Sequence, residues 1–436
     1  MRSDTIDKIL LNPISRFINN STTSGIVLFA TAVIALILAN SPLQNAYHQF
    51  WEHTFSIGFD EYVVSKSLHH WINDGLMSIF FFVIGLELKK EIMMGELSKP
   101  KNAVLPICAG LGGMAVPALL YLMLNPSGET SAGWGVPMAT DIAFALGILY
   151  MLGDRVPVSL KVFLTVLSIV DDLGAVLVIA LFYTSDISLT SLLFGLGFLV
   201  VLIGANLLGV RSVIFYGIVG IGGLWMAFLL SGVHATVAGI LAALTIPANV
   251  KIEDKKFVIK MNALTNDFER STPNNVSLLS YEQLHIVDRI RFYSKAALTP
   301  LQRLEHSMAP FVAFVVMPIF ALANAGITFS GDFAQNLFSN VSLGVIMGLI
   351  LGKFMGIVTI SKILVKLKLA VLPVGFQWRH IYGTAMLAGV GFTMSLFITD
   401  LAFIDSAYIL QAKIGIFVAS LFCGIGGYLT LRKAQT

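Results

Sequence analysis

The sequence predicts an all-α polytopic membrane protein of about twelve transmembrane helices. Three observations carry this reading. Of 436 residues, 56% are hydrophobic and 12% charged, against about 25% charged in soluble domains. A soluble chain of this size has nowhere to hide so much apolar surface. The apolar residues also gather into runs near the ~20 that one crossing needs, and the basic residues segregate between them. The 38 glycines suit helices that approach closely in lipid.

The elements follow in order. Residues 1–17 are mixed polar, with Arg2, Lys8 and Arg16. The run Gly25 to Ala39 starts late and no convincing small-x-small site follows it, so it reads as an uncleaved first span. Residues 41–68 are amphipathic and aromatic. The alternation Thr54-Phe55-Ser56-Ile57-Gly58-Phe59 predicts a short strand pair there, a periplasmic hairpin region. Further spans are expected at 69–93, 103–124, 132–153, 156–184, 189–209, 211–230, 232–248, 304–328, 341–364, 378–401 and 408–431. Residues 249–300 interrupt the series. Eight basic and six acidic residues lie between Lys251 and Lys295, which marks a cytoplasmic loop insertion. One surface helix is expected over Tyr281 to Ala297, where Leu284, Val287 and Ile290 fall in step. All of it reads as one integral membrane domain.

The charges test the count. With the N-terminus inside and direction alternating, the outside segments hold only Lys66 and Lys413, and Lys353 falls within a span. The other 25 of the 28 Lys and Arg lie in or beside inside segments. A wrong count would scramble this, so twelve spans with both termini cytoplasmic are expected.

Several function classes find no support. No Gly-x4-Gly-Lys-Ser/Thr loop is present, and Gly110-Leu111-Gly112-Gly113 lies within a span. No HExxH or Gly-x-Ser-x-Gly occurs, so no enzyme chemistry and no cofactor are expected. Cys108 and Cys423 lie far apart in apolar runs and read as core thiols. The small net charge of +3 suggests no nucleic-acid partner; the bilayer is the expected surrounding.

Four ionisable residues fall mid-span: Asp141, Asp171, Asp172 and Lys353. Each costs several kcal/mol there, so each needs a partner or a task. Asp171 and Asp172 point ~100° apart on a helix and meet different neighbours. Lys353 is the only mid-span cation, so one aspartate can pair with it and the other is left to hold a cation or a proton. Spacing alone leaves open which does which. Two spans, the fourth and eleventh, look interrupted, at Pro137 to Gly147 and at Ala388 to Ser395. Seven spans apart, they run in opposite directions, the mark of an inverted repeat with unwound helices at mid-membrane. Asp141 would neutralise the helix N-termini there and Lys353 the C-termini. Glu87 and Glu91 share one helical face beside Lys90, which by itself reads as a solvated helix end. His234 lies near the outer surface and reads first as structural.

A channel would need a filter sequence, an organic anion would be poorly hosted by carboxylates, and a hydrolase would need a nucleophile or metal set. The motifs instead resemble the NhaA-type Na⁺/H⁺ antiporters. They are His70 to Met77, Gly85 to Glu91, Pro137 to Gly147, Val170 to Gly174, Ser231 to Thr236, Arg303 to His306, Phe320 to Gly326, Leu351 to Lys353 and Gly391 to Ser395, in family order across nearly the whole chain. The resemblance implies electrogenic, pH-regulated exchange of cytoplasmic Na⁺ or Li⁺ for external protons in a bacterial inner membrane. It implies that Asp171 and Asp172 form the transport site, with Asp172 the direct Na⁺/Li⁺ ligand and Asp171 the partner of Lys353. Thr140 and Asp141 would sit at the crossing. Glu87, Lys90, Glu91 and Glu305 at the cytoplasmic mouth, with His234 elsewhere, would serve the pH response. Residues 41–65 would join two protomers into a homodimer. Two features depart from the family pattern: Lys90 stands where Arg is common, and the 249–300 loop is long.

Overall fold

Apolar helices dominate because in lipid each backbone N–H and C=O must be satisfied within its own segment. The computed structural model describes residues 21–59, 62–184, 187–271, 278–328, 333–372 and 375–434. Arg2, Lys8 and Arg16 lie outside these. Every expected span coincides with apolar helix. Among the described residues, eight segments are long and apolar enough to cross a membrane unaided: α3 (Leu68–Met94), α4 (Pro100–Leu124), the composite Glu129–Met151, α6 (Val158–Phe182), α7 (Leu189–Leu207), α12 (Pro300–Asn324), α13 (Asn340–Lys366) and α16 (Ser406–Lys433). Counting each of two bent pairs as one span makes ten. Val213–Leu229 (α8) and Ala235–Thr245 (α9) are shorter apolar helices.

The first bent pair is α1 (Ser21–Ala39) and α2 (Gln44–Glu52), which turn by 112°. The expected hairpin region is therefore part helix. Tyr47 and Trp51, one turn apart on α2, stack edge to face, and Tyr47 donates to the Leu322 carbonyl at 2.6 Å. Burial pushes the Tyr47 phenol up to about 12, so it remains a donor at any physiological pH. The strand pair is β1 (Thr54–Phe59) against β2 (Tyr62–Ser67), antiparallel, with Thr54 opposite Ser67.

The second bent pair is α14 (Trp378–Ala388) and α15 (Phe392–Ala402), bent by 42°. The composite span is likewise broken: a 3₁₀ helix, Glu129–Met138, precedes an extended Ala139 to Asp141 and then α5 (Ile142–Met151). The two breaks meet where Asp141 N–H donates to the Val390 carbonyl at 2.7 Å. α13 is drawn in at two glycines, against the broken span and against α4. A Cβ on Gly348 would stand 2.6 Å from Pro137 Cβ, and one on Gly352 2.6 Å from Pro117 Cα. Those close approaches carry the next residue, Lys353, into the centre.

The described residues of the 249–300 segment hold two helices where one was expected: α10 (Asp254–Arg270) and α11 (Tyr281–Ala297), packed as a hairpin. Phe257, Met261, Leu264 and Phe268 give α10 a helical stripe, hidden among its charges. Capping boxes at Ser280/Gln283 and Thr299/Gln302 start α11 and α12. This hairpin marks one end of the molecule, where Lys89 also donates to the Leu244 and Ile246 carbonyls at the C-terminus of α9. We refer to this as the basic end, and to the end bearing β1 and β2 as the hairpin end. α7 is little buried by protein and presents Phe194, Val200 and Leu193 outward, as a lipid-facing helix would.

Candidate functional site

Asp171, Asp172, Thr140, Asp141 and Lys353 converge at the crossing, and all five are fully buried. α6 is continuous through the pair, so its aspartates diverge as helix geometry requires. Asp171 Oδ2 accepts from the Lys353 ammonium, and the Thr140 hydroxyl lies 2.7 Å from it. That hydroxyl also accepts from Lys353 at 3.0 Å and lies 2.8 Å from the Ala388 carbonyl. Having one proton, Thr140 serves either Asp171 or Ala388 at a time.

Asp141 has a different environment. Its Oδ1 accepts from Phe144 N–H at 3.0 Å and its Oδ2 from Thr393 N–H at 3.0 Å and from the Thr393 hydroxyl. One carboxylate thus caps α5 and α15, whose N-termini face each other with roughly half a positive charge each. Ser395 donates to the Val136 carbonyl at 2.8 Å and closes the crossing on its other side.

Asp172 has neither kind of support. Neither of its oxygens has a hydrogen-bond partner among the described residues. Three buried carboxyl groups face one buried ammonium. Lys353 compensates Asp171 and two helix ends compensate Asp141, so Asp172 is left without a counter-charge. A bare buried carboxylate is costly, so this group holds a proton or a cation. Ser168 is the neighbour that sequence reasoning passed over. Its hydroxyl is buried and has no partner among the described residues. It lies one turn before Asp172 on α6, turned only about 40° from Asp172 and about 60° from Asp171. Thr393 was also missed, although it stands inside a motif that was recognised. Its signal was the broken helix, whose first N–H groups need an acceptor.

The mouth residues sit together at the basic end. Glu87, Lys90, Glu91 and Glu305 line a cavity of about 320 Å³, and Lys90 pairs with Glu305 at 2.8 Å. The cavity runs inward to Ile142, Ala143 and Ile169. Ile169, the innermost α6 residue that lines it, is about one turn before Asp172. His234 does not join these four. At the hairpin end, its Nε2 lies 2.9 Å from the Tyr183 carbonyl at the C-terminus of α6. Among the described residues, no three His, Cys, Asp or Glu side chains gather in a group that could hold a metal ion. The donors at the centre are two carboxyls and nearby hydroxyls, a set suited to a hard monovalent cation in transit.

A membrane-embedded bundle with two broken spans crossing at a buried, partly uncompensated carboxyl pair defines a secondary ion carrier. The chain belongs to the Na⁺/H⁺ antiporter 1 family, whose model matches residues 15–431. Curated relatives include Na⁺/H⁺ antiporter NhaA of Oleidesulfovibrio alaskensis, 50% identical over 98% of this chain and 95% of the relative. Na⁺/H⁺ antiporter NhaA of Acidithiobacillus ferrooxidans is 49% identical over 98% of each. Na⁺/H⁺ antiporter NhaA 1 of Saccharophagus degradans is 46% identical over 97% of this chain and 92% of the relative.

Proposed function

We propose that this chain is a Na⁺/H⁺ antiporter, exporting cytoplasmic Na⁺ or Li⁺ in exchange for external protons at Asp171 and Asp172. Family membership supports the exchange. The observation that supports the site is Asp172, buried with both oxygens unpartnered one turn beyond a cavity at the basic end. By the positive-inside rule that end faces the cytoplasm, in a bacterial inner membrane. Na⁺ enters past Glu87 and Glu305 and takes the place of the Asp172 proton. Asp171 exchanges between Lys353 and the ion or a proton. Protons returning on both carboxyls against one monovalent cation move net charge, which makes the cycle electrogenic. The mouth cluster and His234 serve the pH response. The exposed Phe55, Ile57 and Val63 of the hairpin support a homodimer formed through it.

The test uses everted membrane vesicles with an acid interior and a pH-sensitive dye. Na⁺ or Li⁺ added at mildly alkaline pH releases protons, and K⁺ releases far fewer. Vesicles that respond to none of the three cations would sink the reading. Acid works against the cation, because protons occupy the same oxygens. Below the titration range of the pair, each unit of acidification is expected to raise the KM for Na⁺ about tenfold for one competing proton and up to ~100-fold for two. A KM that stays flat at every pH at which the protein remains folded would rule out shared carboxyls. Ser168→Ala is expected to raise the KM for Na⁺ by ~5–10-fold with kcat nearly kept, the size of one lost neutral contact. An unchanged KM would remove Ser168 from the ligand set.

A further inference from the structure

The hairpin end holds a second buried polar group that the exchange site does not use. It joins three spans. Asn324, the last residue of α12, donates from Nδ2 to Asn73 Oδ1 on α3 at 3.0 Å and to the Phe320 carbonyl. Asn73 Nδ2 donates to Asp400 Oδ2 on α15 at 3.1 Å. His69 Nε2 lies 2.8 Å from Asn324 Oδ1. Since Asn324 spends both its N–H groups elsewhere, the histidine is the donor. Lys413 Nζ stands 3.6 Å from Asp400 Oδ1, and His69 3.6 Å from Oδ2. Asn73 and Asn324 are buried, and the Asp400 side chain is 9% exposed.

Directly beneath lies an apolar layer from the same three spans. Phe320 is one turn from Asn324, Phe397 one turn from Asp400, and Phe81 two turns from Asn73. The Phe397 ring stands 5.8 Å from Phe81 and 6.3 Å from Phe320, and all three are at most 1% exposed. One turn deeper on α15 is Thr393, bonded to Asp141. On these three spans the layer therefore lies between the crossing and the hairpin end.

Each of these three outer segments has a joint. Asn73 itself lies in a π-type turn of α3, Ile72–Leu76. α12 carries another, Val312–Val316, before Phe320. α15 begins at the Gly389 to Gly391 break. Such wide turns and breaks are where helices hinge.

We propose that Asn73, Asn324 and Asp400 form a latch that holds the hairpin end shut over the phenylalanine layer while the site faces the basic end. These are positioning residues. They touch no ion, and act by setting the balance between inward-facing and outward-facing states. Lys413 and His69 hold Asp400 and Asn324 in the bonded geometry. Parting the outer segments carries Phe320 and Phe397, which lie beyond the joints of α12 and α15, away from Phe81 and exposes the site on the other side.

The latch rests on the antiport reading, and its test separates the two. Apparent affinity scales with the fraction of protein in the binding-competent state. Loosening the latch populates the outward-facing state, so Na⁺ binds more tightly from the hairpin side and no more tightly from the basic side. Purified protein in oriented proteoliposomes gives the Na⁺ KM on each side. Asn324→Ala is expected to lower the hairpin-side KM about three- to tenfold, the effect of one or two lost hydrogen bonds, while the basic-side KM stays level or rises. Asp400→Asn, which keeps its shape and loses the Lys413 attraction, shifts both in the same directions by about two- to threefold and carries the test if Asn324→Ala does not insert. A wild type that exchanges Na⁺ for protons, with KM values that stay put or fall together in the variants, overturns the latch alone. A wild type without exchange overturns the antiport reading and the latch with it.

Discussion

Asp172→Asn will abolish Na⁺-driven proton release from everted vesicles, with a loss of at least ~100-fold in kcat/KM. The amide keeps the size of the carboxyl and removes the two properties that exchange needs, a negative charge for the cation and a dissociable proton. The same substitution will leave thermal stability unchanged or slightly raised. Asp172 makes no hydrogen bond or ion pair among the described residues, so nothing is broken, and a group that is costly to ionise in a dry interior is replaced by a neutral one. Activity and thermal midpoint measured on the same purified variant check both statements. A variant that retained normal exchange would place the ion site elsewhere while leaving the family membership intact.

Lys353→Met will lower the thermal midpoint in detergent by roughly 5–10 °C at pH 8.5, and by much less in acid. Removing one partner of a buried pair strands the other. The cost is about 3–5 kcal/mol while the survivor stays charged, and at ~2 °C per kcal/mol for a large domain this is a sizeable shift. The sign of the pH dependence follows from Asp171. Without Lys353 the carboxyl is favoured in its neutral form, so the folded variant holds more protons than the unfolded chain. Stability must then fall as pH rises. Asp171→Asn combined with Lys353→Met leaves a neutral pair and will recover most of the midpoint without recovering coupled exchange. A single variant as stable at pH 8.5 as the wild type would show that Lys353 is not the counter-charge of Asp171. The two predictions separate the aspartates: one substitution silences transport at no cost in stability, and the other costs stability through the pair.

Much of the architecture was legible because lipid leaves few options. Long apolar runs, basic residues on one side of the alternation, and glycine-rich interruptions at Pro137 to Gly147 and Ala388 to Ser395 all report on single segments. The same holds for the strand alternation at Thr54 to Phe59 and for the helix over Tyr281 to Ala297, both found where expected. α10 was missed because its apolar stripe is diluted by charge, and α2 because short helix and amphipathic loop look alike in one dimension. That Asp141, Asp171, Asp172 and Lys353 would have to be brought together was also readable: an unpaired charge within a span advertises itself.

What the sequence by itself determined is therefore which residues must find partners: Asp141, Asp171, Asp172 and Lys353, each too costly to leave alone in an apolar run. Which partner each finds was decided only by the tertiary structure. Asp171 takes Lys353, 182 positions away in sequence. Asp141 takes the two broken-helix ends, and Asp172 finds no hydrogen-bond partner among the described residues. Helix periodicity separates adjacent aspartates by ~100°, but the neighbours waiting in those two directions come from other spans. They are placed by contacts such as Gly352 on Pro117, which only the folded bundle brings together. Ser168 and the Asn73–Asn324–Asp400 group were illegible for the same reason. Neutral or terminal polar residues in a helix are unremarkable until packing shows one hydroxyl left without a bond and three side chains bonded across three spans.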